Sequence, residues 1–194
     1  MFYYLMLVAT GRRPVTEELN LAAVGLQPNE NGALATDDYG RTTAANIFAV
    51  GDVAGRFQLA HAATSHGITA AENACLRTQR RLETVVPMTI YTTPEIGVVG
   101  LTEQEARTAG RQIKVGKYPF AHLGKALAAG ETEGFVKWIA DAATGRLLGA
   151  QVVGPRATEL VAEATLAIRA ELTAAELAHT IHAHPTFAEA SMEA

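Results

Sequence analysis

His182, His184 and Glu189 form the only compact group of acid/base side chains in the sequence. A carboxylate beside an imidazole orients the ring and makes it a better base. Pro185 stops any helix at His184, so a spacing of five cannot put His184 and Glu189 on one helical face. A turn at Pro185-Thr186, followed by a new helix from near Thr186, brings Glu189 back beneath the ring. A cis His184–Pro185 bond makes that turn tight. One ring nitrogen of His184 then faces Glu189 and the other faces outward, while His182 lies outside the pair. Metal binding is the competing chemistry. Two histidines two apart with a glutamate five further on match no zinc spacing, and the proline spoils a helical face. The plain alternative is a set of ordinary polar residues.

Three further features could do chemistry. Gly51-Asp52 follows the short apolar run Ile47–Val50. A carboxylate at the carboxyl end of a strand can hold a sugar hydroxyl, and it can equally be a turn Asp capping the next segment. A helix opening near Leu59-Ala60-His61 presents unpaired N–H groups, which attract negative charge as every helix start does. His61 and His66 read as helix-surface or ligand-lining residues. The single cysteine, Cys75, reads as a small apolar residue on that helix.

The elements that must position these groups follow from periodicity and turn chemistry. Residues 2–9 read as a buried strand closed by Thr10-Gly11, and a helix runs from about Leu59 to Arg81 with Gly67 its weak point. Pro87 marks a boundary. Beyond it, residues 88–92, 96–99, 112–120, 134–140 and 147–153 are strand-like, in a sheet of three or four strands. Asp141–Gly145 is a hairpin turn. Thr102-Glu103-Gln104-Glu105 and Thr173-Ala174-Ala175-Glu176 are capping boxes, Gly110 stops the first of these helices, and Pro155 opens a helix running to about Ala170. The expected class is α+β: a central antiparallel sheet with packed helices.

Bulk properties narrow the function. The 194 residues are 48% hydrophobic and 19% charged, which supports a packed core. A formal net charge of -4 without a basic stripe argues against a nucleic-acid binder. One cysteine cannot form an internal disulfide, and no apolar run approaches the ~20 residues needed to span a bilayer.

Taken in order, the motifs resemble the pyridine nucleotide-disulfide oxidoreductases. Ala9–Pro14 (ATGRRP) resembles the junction where that family's NAD domain returns to its FAD domain, and Thr42–Asp52 (TTAANIFAVGD) its second FAD motif. Tyr91–Gly97 (YTTPEIG) resembles the opening of its interface domain. Gly130–Lys137 (GETEGFVK) and Gly149–Glu159 resemble its central strands and following helix, and His182–Glu189 (HAHPTFAE) its terminal active-site motif. The His-x-His-Pro-Thr form looks most like the dihydrolipoamide dehydrogenases. Glutathione reductases usually carry paired glutamates where Glu189 is followed by Ala190, and mercuric reductases end in a cysteine pair absent here.

The resemblance implies residues 1–10 as the end of an NAD domain, 11–86 as the C-terminal part of an FAD-binding domain and 87–194 as a dimerisation domain. It implies His184 as the base that takes a thiol proton, with Glu189 orienting it. It also implies Asp52 on the ribityl chain of FAD, the backbone at Leu59 and Ala60 at the flavin's pyrimidine edge, and no metal. NAD would be the electron acceptor and lipoyl groups of 2-oxoacid dehydrogenase complexes the partners. The protein would be a cytoplasmic homodimer in which His184 serves the flavin and disulfide of the other subunit. The family's Gly-rich FAD and NAD loops and its Cys-x4-Cys pair are missing and would lie upstream of Met1. The expectation is a fragment, a separately encoded remnant or an engineered piece, inactive alone and binding FAD weakly if at all. The rival is a non-catalytic dimerisation module; a third reading is a fragment of a glutathione reductase-like enzyme.

Overall fold

A computed structural model of the chain describes residues 4–76 and 78–194. It divides into two compact units, Met1–Thr84 and Val85–Ala194.

The first unit is mostly irregular. Of the strand expected over 2–9, residues 2 and 3 lie outside the described residues, and 4–9 form no strand. Tyr4 to Val8 are exposed, with Leu5 99% accessible. A strand exists only where another backbone pairs its N–H and C=O groups, and among the described residues none pairs with this segment. Ile47–Val50 likewise yields only one bridge, Arg41 to Phe48. Three 3-10 turns (Glu17–Leu19, Leu21–Val24 and Gly51–Ala54) precede the helix α1, Ala60–Leu76. The helix ends before the expected Arg81, and the buried side chain of Asn73 gives the reason. Its amide donates to the Arg80 carbonyl (2.8 Å) and accepts from the Arg80 N–H (2.9 Å), so the chain doubles back beside α1. Cys75 lies on α1, exposed.

The second unit carries the α+β architecture. Five strands, β1 (Met88–Ile90), β2 (Ile96–Gly100), β3 (Ile113–Pro119), β4 (Phe135–Asp141) and β5 (Leu147–Val153), pair antiparallel in the order β1-β2-β5-β4-β3. The sheet thus has one or two strands more than expected: all five strand-like segments join it. Asp141 caps the β4–β5 turn by accepting from the N–H groups of Ala143 and Thr144.

Helices α2 (Glu103–Thr108), α3 (Gly124–Ala129), α4 (Ala157–Arg169), α5 (Ala174–Ala178) and α6 (Glu189–Glu193) complete the unit. Both expected capping boxes are formed, Thr102 with Glu105 and Thr173 with Glu176. In α4, Ala157, Val161, Ala164 and Ala167 recur at helical spacing and bury one face against β2 and β5. Gly97 in β2 makes that approach possible: a Cβ there would lie 2.5 Å from the Ala157 carbonyl oxygen and 2.8 Å from Val161 Cβ. The helix α6 packs on β3 and β4. One apolar cluster joins these layers through Val99, Phe120, Val136, Trp138, Val152, Val161 and Phe187.

Candidate active site

Glu189 is positioned by its neighbours in sequence. Two residues before it, Phe187 is buried (4% exposed) and meets Phe120 edge-on, with ring centroids 5.4 Å apart. One residue after it, Ala190 is fully buried, and Ser191 accepts from the indole N–H of Trp138 at 3.0 Å. The first turn of α6 is thereby anchored in the apolar cluster, and Glu189 emerges from it. The helix begins at Glu189 itself, three residues after the start near Thr186 that the turn predicts.

His184 precedes a cis peptide bond to Pro185. Its Nδ1 lies 2.8 Å from Glu189 Oε1, while Glu189 Oε2 accepts from the Thr186 N–H at 2.8 Å. The Thr186 hydroxyl donates to the Ala183 carbonyl at 2.7 Å and closes the turn. The Thr186 N–H first, and then His184, hold the Glu189 carboxyl below the usual carboxylate range. An ionised carboxylate only accepts, so His184 donates from Nδ1, and in a neutral ring this leaves the lone pair on Nε2. The His184 side chain is 75% exposed against 18% for Glu189, so this nitrogen faces outward. Chemically the arrangement is a base on a held ring.

His182 is not idle outside this pair. Its Nε2 lies 2.6 Å from Glu163 Oε1 on α4 and its Nδ1 2.9 Å from the Thr180 carbonyl. Sequence reasoning passed over Glu163, which looks like one more charge on an amphipathic helix.

In the first unit, the turn Gly51–Ala54 packs against α1. Gly51 has φ +74°, and a Cβ on it would come within 3.0 Å of Ala63 Cβ, so the close approach requires glycine. Asp52 is thus brought beside the first turn of α1, whose N–H groups open at Ala60 after Leu59. Asp52 is exposed. An exposed acceptor beside an open helix start suits a polyhydroxyl chain joined to a ring edge that accepts hydrogen bonds and takes up negative charge, so these residues fit a flavin. His66 departs from the surface or ligand-lining role expected of it. It is buried, with Nε2 2.8 Å from the Glu83 carbonyl and its ring edge-on to Phe57. Among the described residues no group of three His, Cys, Asp or Glu could hold a metal ion, and no helix is long and apolar enough to cross a membrane.

Comparison with known proteins bears on both units. Residues 86–194 match the pyridine nucleotide-disulphide oxidoreductase dimerisation domain, and residues 3–67 match the pyridine nucleotide-disulphide oxidoreductase domain. The dihydrolipoyl dehydrogenase of Halobacterium salinarum is 51% identical over 189 residues, 97% of this chain and 40% of that protein. That of Thermus scotoductus is 48% identical over 189 residues, 97% of this chain and 41% of that protein. The chain therefore spans about 40% of the length of the curated relatives it matches. Among solved structures, LpdA from Mycobacterium tuberculosis superposes with a TM-score of 0.87 at 30% identity, over 93% of this chain and 40% of the other. The HOCl-induced flavoprotein disulfide reductase RclA from Escherichia coli superposes with a TM-score of 0.84 at 32% identity, over 93% and 42%. With its dimerisation domain filling more than half of its length, this chain belongs to the pyridine nucleotide-disulphide oxidoreductase family.

Proposed function

We propose that this chain is the C-terminal portion of an FAD-dependent dihydrolipoyl dehydrogenase, which converts dihydrolipoamide and NAD+ to lipoamide, NADH and a proton. Residues 1–10 would close an NAD domain, 11–86 complete an FAD-binding domain and 87–194 form the homodimer interface. The observation that carries the reading is the His184–Glu189 pair, with Nδ1 2.8 Å from the carboxylate and the His184 side chain 75% exposed.

In this reading His184 Nε2 accepts the proton of a dihydrolipoamide thiol, and the thiolate attacks an enzyme disulfide. Glu189 keeps the ring in the required tautomer and balances the charge it acquires. Asp52 would accept from ribityl hydroxyls of FAD, and the backbone N–H groups at Leu59 and Ala60 would meet the flavin's pyrimidine edge. FAD, when bound, carries the electron pair from the enzyme dithiol to NAD. Cys75 is the only cysteine here, so the disulfide must come from protein outside these residues, and the 194 residues alone should show no turnover. His184 would serve the flavin and disulfide of the partner subunit in a cytoplasmic homodimer, with lipoyl groups of 2-oxoacid dehydrogenase complexes as the substrate.

The test is to join the chain to the preceding part of the Halobacterium salinarum dihydrolipoyl dehydrogenase and measure dihydrolipoamide-dependent NADH formation. The joined protein should turn over, and His184→Gln should lower kcat by roughly 100-fold or more. Equal activity of parent and variant would remove the acid/base role. Activity with glutathione disulfide instead of lipoamide would reassign the substrate.

A further inference from the structure

His182 has two partners and little solvent. Its side chain is 7% exposed, and that of Glu163 34%. Among residues 181–185 it alone is not exposed: Ile181 is 96% accessible on one side, and Ala183, His184 and Pro185 are open on the other. From Ile181 to Pro185 the chain therefore meets the body of the unit through this one ring, before Phe187 anchors the start of α6. Both groups facing the ring are acceptors: the Thr180 carbonyl at Nδ1 and the Glu163 carboxylate at Nε2. A neutral imidazole has one N–H and can satisfy only one of them. Both contacts are made together when both nitrogens donate, with the Glu163 carboxylate balancing the charge.

We propose that His182 and Glu163 are positioning residues for His184. They tie the active-site segment to α4, whose other face is fixed in the core by Ala157, Val161, Ala164 and Ala167. His184 is then held from two directions. Glu189 fixes its ring from α6, and His182, two residues back, fixes the backbone that carries it. Without the second hold, a residue 75% exposed has only a single hydrogen bond to keep Nε2 aimed. This inference rests on the acid/base role proposed for His184, and it adds a carboxylate 21 residues before the catalytic ring.

The test uses the 194-residue chain with its histidine rings labelled with 15N, where the spectrum reports which ring nitrogen carries the proton. In the parent, neutral His184 should be protonated on Nδ1. In Glu163→Gln and in His182→Gln that pattern should decay toward the tautomer mixture of a free imidazole. Glu159→Gln removes the same charge from the same helix one turn away and should leave His184 unchanged. The Trp138 indole resonance, bonded to Ser191, reports that the unit is folded in each variant. An unchanged His184 pattern in folded Glu163→Gln and His182→Gln would overturn the proposal. Should either variant unfold, ring relaxation in the parent decides: His182 and His184 should be equally rigid, and a rigid His182 beside a freely moving His184 would overturn it. No flavin or turnover enters these spectra, so their failure leaves the acid/base role standing, and loss of that role is read separately from His184→Gln in the joined enzyme.

Discussion

Replacing Phe187 with alanine tests whether the apolar core places the acid/base pair. Phe187 is 4% exposed and packs edge-on to Phe120, which is fully buried, at 5.4 Å. Truncating a buried phenylalanine costs about 3–5 kcal/mol, of which the ring pair accounts for about 0.5–1.5. Set against a typical domain stability of ~5–15 kcal/mol, this weakens the second unit severely while leaving a folded population. Trp138, the only tryptophan, sits in the same cluster, so its fluorescence in urea follows this unit rather than the other. With a slope of about 2 kcal/mol per M, the midpoint should fall by roughly 1.5–2.5 M. Phe187→Leu keeps most of the apolar volume and should cost only about 1–1.5 kcal/mol. Glu189 lies two residues on, so the alanine variant should also loosen the His184 Nδ1–Glu189 bond, visible as loss of the Nδ1-protonated pattern. A midpoint that falls by less than about 0.5 M, roughly 1 kcal/mol, would refute the reasoning, because Phe187 would then not anchor α6.

Gly97→Ala should destabilise the second unit by about 1–3 kcal/mol in the same assay, since the new methyl meets the Ala157 carbonyl at 2.5 Å on a helix that cannot retreat without uncovering its face. Thr173→Ala removes the cap that accepts from the Glu176 N–H and should cost about 1 kcal/mol. The lowered Glu189 carboxyl contributes stability above its unfolded-state pKa and loses it as pH falls through the depressed folded value. The stability gap between parent and Glu189→Gln should therefore be widest near neutral pH and close in acid, and a gap that widens in acid would reverse the assignment.

Much of the second unit was legible because its signals are local. Thr102 and Thr173 each meet a glutamate three residues on, and that spacing alone lets side chain and backbone cap each other. Asp141–Gly145 closes a hairpin by the same short-range logic. The His184–Glu189 pair could be foreseen because His182–Glu189 resembles the family's terminal active-site motif and a turn at Pro185 can lead the chain back within five residues. Other features depended on partners far along the chain. Tyr4 to Val8 have the composition of a strand yet pair with no described residue, since propensity supplies side chains but not the neighbouring backbone a strand requires. The helix α3 starts at Gly124 with no capping side chain, and buried Leu123 and Ala126 hold it instead. The strand order β1-β2-β5-β4-β3 follows from which faces can be buried together. Glu163 is the clearest case: 19 residues from His182 and on another helix, it meets that ring only because α4 is packed on the sheet beside the segment leading into α6. A contact of that separation has no periodicity to betray it, because its geometry is fixed by tertiary packing.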